Sequence, residues 1–123
     1  MNGSEILKDC AQKMGIELSE KALNDFENYK KLLLEWNEKM NLTAITDEEG
    51  IAIKHFADSI SVLPLIDKKN VSMIDVGTGA GFPGIPIKIA RRDIKVTLLD
   101  SLNKRINFLE EVTKELKLEN VSC

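Results

Sequence analysis

The stretch Asp75-Val76-Gly77-Thr78-Gly79-Ala80-Gly81 places glycine at three alternate positions directly behind a short apolar run, and Phe82-Pro83-Gly84 extends it. Glycine tolerates positive φ, so a strand can turn sharply into a helix at such a place. A missing Cβ also lets a ligand lie against main-chain amides, beside a helix amino terminus that favours negative charge. Carboxylates flank the turn. Asp75 ends the first run, and Asp100, followed by Ser101, ends the later run KVTLLD. This set suits a ligand that offers an anion to amides and amine or hydroxyl groups to acids. The competing reading is a purely structural turn, with Asp100 only capping the next helix.

The glycine spacing separates ligand classes. A dinucleotide fingerprint, G-x-G-x-x-G, would put its third glycine at position 82, which is Phe82. That disfavours a nucleotide-dependent oxidoreductase. A phosphate loop would end in Gly-Lys-Ser/Thr, which is absent here. The acidic-x-G-x-G-x-G form resembles the pattern of S-adenosylmethionine-dependent methyltransferases. That cofactor carries a carboxylate, an ammonium, a sulfonium and a ribose, with no pyrophosphate. Loop amides can meet its carboxylate, Asp75 can face its ammonium directly or through water, and Asp100 can accept from both ribose hydroxyls.

The elements around the turn follow from apolar spacing. Ile6, Leu7, Cys10, Ala11 and Met14 share one face of a short helix that Gly15 ends. Ser19 is the expected N-cap of a long second helix, with Leu23, Phe26, Leu33, Trp36 and Met40 inward as core. Thr46 to Glu49 matches a capping box, opening a helix through Ile51, Ile53, His55 and Phe56 towards Leu63, limited by Pro64. Asn41 and Thr43 read as turn and capping residues. His55, beside Phe56 and Ile53, reads as packed and hydrogen-bonded rather than catalytic. From Val71 the pattern changes. VSMIDV is a strand whose nearly continuous apolarity suits a sheet covered on both faces. A helix from about Gly84 or Ile85 to Arg91, the strand KVTLLD, a helix over Asn103–Leu118 with Ile106, Leu109, Val112 and Leu116 inward, and a strand begun by NVSC follow. The expectation is an α/β fold: a helical region over 1–69, then over 70–123 the first β-α-β-α-β half of a Rossmann-like parallel sheet.

The segments IDVGTGAGFPGIP and LLDSLNKRINFLEEV together resemble the glucose-inhibited division protein B family, guanine-N7 methyltransferases of small-subunit (16S) ribosomal RNA. EWNEKMNLTAIT and KHFADSI resemble its helical amino-terminal region, so the likeness spans roughly residues 20 to 121. The resemblance implies methyl transfer from S-adenosylmethionine to N7 of a guanine. Position by position, it implies that Gly77 and Phe82 contact the cofactor, that Gly79 and Gly81 shape the turn, and that Asp100 holds the ribose. Thr78, Asp75 and Ser101 complete the expected cofactor set. The match raises a structural or substrate-side role for His55. No catalytic residue is assigned, because N7 carries a lone pair and no proton, and in-line attack needs no general base.

Composition bounds the rest. The chain has 123 residues, 43% hydrophobic and 30% charged, with a net charge of −3. That charge gives no independent sign of RNA binding. No apolar stretch reaches the roughly 18 residues of a membrane span, and the acidic MNGSEILKDC is no signal peptide; the expected location is cytoplasmic. Cys10 and Cys123 with a single histidine supply too few ligands for a metal site. The small basic clusters, Lys30-Lys31, Lys68-Lys69, Arg91-Arg92 and Lys104-Arg105, read as solvated helix ends or loops. The resemblance also implies further strands beside the glycine-bearing one. The expectation is therefore a fragment of a longer enzyme, binding cofactor weakly and inactive alone, with an open sheet edge prone to self-association. The alternative is a non-catalytic folding or interaction module.

Overall fold

The computed structural model describes residues 2–123. Helix α1 (Gly3–Lys13) opens on a capping box made by Asn2 and Glu5, and α2 (Glu20–Met40) on Ser19, whose hydroxyl accepts the Ala22 amide. A short α3 (Glu48–Gly50) leads without a break into a π-helical segment (Ile51–Ala57), α4 (Asp58–Ile60) and a 3₁₀ turn (Leu63–Leu65). Then come β1 (Ser72–Val76), α5 (Gly84–Ala90), β2 (Lys95–Leu99), α6 (Asn103–Glu115) and β3 (Val121–Ser122). The three strands form one parallel sheet in the order β1-β2-β3. The α/β reading with leading helices is thus what the chain adopts.

Three local expectations shift. The cap before α3 is Asp47, whose carboxylate accepts the Gly50 amide, not Thr46. The helix that follows is not uniformly α-helical: seven residues form the π segment, which apolar spacing does not encode. Helix α6 stops at Leu116 because Lys117 takes a left-handed conformation, with the Leu118 amide returning to the Thr113 carbonyl.

The sheet is covered on one face only, which corrects the two-sided reading of VSMIDV. Val96 and Leu98 are buried, whereas Ile74 is 64% and Val76 78% exposed, with Leu99 beside them. α5 packs on β1 and β2, and α2 packs against both α5 and α6. Among the described residues nothing lies against the other face. β1 is also an edge. The Val71 carbonyl accepts from Lys95 and the Gly77 amide donates to the Leu99 carbonyl, so strand alternation turns the amides and carbonyls of Ser72, Ile74 and Val76 outward.

One core runs through both halves of the chain, from Leu7 through Phe26, Tyr29, Phe56 and Leu98 to Leu118. Tyr29, which the helical spacing did not single out, lies at its centre. It is fully buried and its ring meets those of Phe56, Phe82 and Phe108. Polar ties cross the same boundary. Arg92 donates to the buried Asp25 at 2.6 Å. Within the second half, Lys88, 1% exposed, donates to the carbonyls of Arg92 and Ile94. Burial pushes the Lys88 ammonium down, and neighbouring Arg92 adds to it. Arg91 donates to the Ile66 and Lys68 carbonyls and to Asp93, so these arginines are structural ties, not a solvated helix end. No described helix is long and apolar enough to cross a membrane.

Two outcomes follow for stability. Tyr29→Phe leaves the buried Ala80 carbonyl without its donor, and urea denaturation should show a loss of about 1–3 kcal/mol. The Arg91 guanidinium, helped by the Asn70 amide, holds Asp93 well below the usual carboxylate range. Because its folded value lies below its unfolded one, this contribution is full above about pH 5 and is lost as pH falls from there through the folded value. The urea midpoint should therefore fall between about pH 5 and pH 2, less steeply in Asp93→Asn.

Candidate functional site at the glycine turn

The turn between β1 and α5 has a front and a back. Gly77, Gly79 and Gly81 all have positive φ, at 69°, 60° and 102°. A Cβ added at Gly77 or Gly79 would meet nothing within 4 Å, so their bare backbones face open space. A Cβ at Gly81 would lie 2.7 Å from both the Ile85 side chain and the Tyr29 hydroxyl. At Gly84 it would collide with Leu98. The first two glycines leave room for a ligand; the last two let the protein close up behind the turn.

The back of the turn is held by a short hydrogen-bond set. The Tyr29 hydroxyl donates to the Ala80 carbonyl at 2.5 Å. Burial, then the charge of nearby Asp75, raises the Tyr29 phenol well above its ordinary range, so it stays a donor. Asp75 Oδ2 accepts from the Thr78 hydroxyl at 2.6 Å and from the Gly84 amide at 3.0 Å. Gly81 and Phe82 both donate to the Thr78 carbonyl. This corrects the expectation for Asp75 and Thr78: both side chains are buried and engaged within the turn, and neither faces the open side.

On the front, Val76, Gly77, Leu99, Asp100 and Ser101 line an open hollow of about 360 Å³, a size usual for small-molecule sites. Asp100 sits at its edge, its side chain only 3% exposed. One oxygen accepts the Gly79 amide at 2.9 Å, and the other accepts the Leu102 amide at 3.0 Å and faces Arg105 at 3.4 Å. Burial would raise this carboxyl, but the Leu102 and Gly79 amides and the Arg105 guanidinium outweigh it and hold it low. An ionised carboxylate offers about four acceptor sites, so roughly one remains for a ligand hydroxyl. Asp100 thus closes the turn before α6 and borders the hollow. Ser101 is exposed beside it.

Most amides of the turn already have partners. Those of Gly77 and Thr78 donate to the Leu99 carbonyl, and that of Gly79 to Asp100. A ligand carboxylate consequently finds fewer free donors here than the sequence promised. Phe82 also lies apart from this hollow. It stacks on His55 and, with Pro83, borders a second hollow of about 580 Å³ along the β1 edge, together with Lys54, Met73 and Ile87. Of the eight residues expected to bind cofactor, Gly77, Gly79, Asp100 and Ser101 share the front, while Asp75, Thr78, Gly81 and Phe82 form the back. Sequence spacing missed Tyr29, whose phenol among apolar helix positions was its only signal, and Arg105, one helical turn beyond Asp100.

No described cluster of His, Cys, Asp and Glu could hold a metal ion. What the front can do is hold a small ligand by a carboxylate and a bare main chain; no acid–base pair stands in it.

A family model described as rRNA small subunit methyltransferase G matches residues 22–123. A curated relative from Alkaliphilus metalliredigens, named ribosomal RNA small subunit methyltransferase G, is 54% identical over 123 residues, covering 99% of this chain and 52% of its own. Relatives of the same name from Acetivibrio thermocellus and Clostridium perfringens (strain 13) are 53% and 55% identical over 118 residues, covering 96% and 95% of this chain and 49% of theirs. The chain spans about half the length of the curated relatives it matches.

The two kinds of glycine make a direct test. Gly79→Ala should cost about 1–2 kcal/mol for its left-handed backbone alone. Gly81→Ala should cost at least about 1 kcal/mol more, because it also overpacks against Tyr29 and Ile85. Urea midpoints of the two variants check the order.

Proposed function

Since this chain belongs to the rRNA small subunit methyltransferase G family, we propose that it supplies the S-adenosylmethionine-binding part of an enzyme methylating guanine N7 in small-subunit ribosomal RNA, in the cytoplasm. The observation that carries this reading is the open front of the turn, where Gly77 and Gly79 present bare backbone beside an ionised Asp100. Gly77 and Gly79 would floor the cofactor, and Asp100, with Ser101 next to it, would take a ribose hydroxyl. When bound, the cofactor supplies an electrophilic methyl group.

The chain's own residues contribute position rather than proton transfer. Guanine N7 brings its own lone pair, so holding the reactants in line supplies much of the rate enhancement. Tyr29 is unsuited to be a base, because its hydroxyl donates to the Ala80 carbonyl and burial raises its pKa. His55 is lowered by burial, which favours the neutral ring. Neither group is needed for a proton.

Calorimetric titration with S-adenosylhomocysteine, set against NAD, tests the reading. Heat of binding is expected from the first and not the second; NAD binding with no response to S-adenosylhomocysteine would overturn it. Asp100→Asn should weaken S-adenosylhomocysteine by about tenfold, the loss of one charge-assisted hydrogen bond.

A second reading rests on a separate observation. The outward amides and carbonyls of β1, with Ile74 and Val76 exposed beside them, favour self-association through the strand edge. Sedimentation velocity should show a concentration-dependent dimer that Val76→Lys abolishes; a monomer at all concentrations would contradict it.

A further inference from the structure

The Thr43–His55–Phe82 chain couples two sequence segments that have no role in the front of the turn. The His55 and Phe82 rings lie 4.3 Å apart between centroids and 8° from parallel. Behind His55, its Nε2 lies 2.7 Å from the Thr43 hydroxyl, which also accepts the Ile45 amide at 3.0 Å. Thr43 is fixed in turn by its own amide, which donates to the Asn37 side chain at 2.8 Å. The imidazole is therefore held against rotation from the end of α2. His55 lies in the π segment, where it and the adjacent Phe56 both reach Phe82, whose ring lies 6.3 Å from that of Phe56. Phe82 in turn closes the glycine turn, because its amide donates to the Thr78 carbonyl beside that of Gly81.

We infer that His55 is a positioning residue for the glycine turn: its ring, stacked on Phe82, fixes the Thr78–Phe82 closure and so the direction in which Gly77 and Gly79 face. It acts through Phe82 and does not line the front hollow. Its effect on ligand affinity rests on reading that front as the methyl-donor site; its effect on the turn does not.

The test compares His55→Ala, His55→Gln and His55→Phe by native-state amide exchange and by S-adenosylhomocysteine titration. In His55→Ala, exchange of the Gly81 and Phe82 amides should accelerate about tenfold relative to the Leu116 amide in α6. Affinity for S-adenosylhomocysteine should fall by about tenfold in parallel. His55→Phe, which keeps the stack, should restore both to within about twofold, whereas His55→Gln, which keeps only a hydrogen bond, should not. Equal acceleration at Leu116, no acceleration at Gly81 and Phe82, or failure of His55→Phe to rescue would each overturn the inference. A wild-type chain that does not bind S-adenosylhomocysteine would sink the cofactor reading, while the exchange rates would still decide what His55 does.

Discussion

A single hydrogen bond from the middle of a long helix organises the glycine turn. The Tyr29 hydroxyl reaches the Ala80 carbonyl through a gap that exists only because Gly81 lacks a side chain. A buried carbonyl without a donor would cost about 1–3 kcal/mol, so the helix and the turn specify each other. The same tyrosine sits among Phe56, Phe82 and Phe108, and so ties the leading helices to the back of the turn and to α6. That is why the helical region and the parallel sheet share a core rather than packing as two units.

From this tie the division of labour in the turn follows. Groups behind it are paired with one another: Asp75 with Thr78 and Gly84, Phe82 with His55. With the back closed, the left-handed residues Gly77 and Gly79 point the other way, towards Asp100. The negative charge of Asp100 is kept by amides and Arg105 despite its burial.

Much of this was legible in the residues, and the exceptions have physical causes. Periodicity located α1, α2, α5, α6 and all three strands because burial imposes it. The glycine spacing marked the turn, since only glycine serves at Gly81, where backbone sign and lack of space coincide. The inward turning of Asp75 was not legible: whether a carboxylate faces a ligand or its own loop depends on where Thr78 and the Gly84 amide fall, a matter of ångströms. The burial of Lys88 was hidden for a similar reason, as a charged residue reads as exposed until two carbonyls converge on it. The π segment leaves no trace in apolar spacing. The bare face of β1 was misread because Ile74 and Val76 are apolar whether or not something covers them.

Whether the front of the turn is where the methyl donor sits can be read most directly from an amide-resolved NMR titration of the labelled chain with S-adenosylhomocysteine. The account predicts that the largest shifts, saturating together, fall on Gly77, Gly79 and residues 99–102, with Asp75 and Gly84 moving little. Saturable shifts centred elsewhere, with Gly77 and Gly79 unmoved, would contradict it.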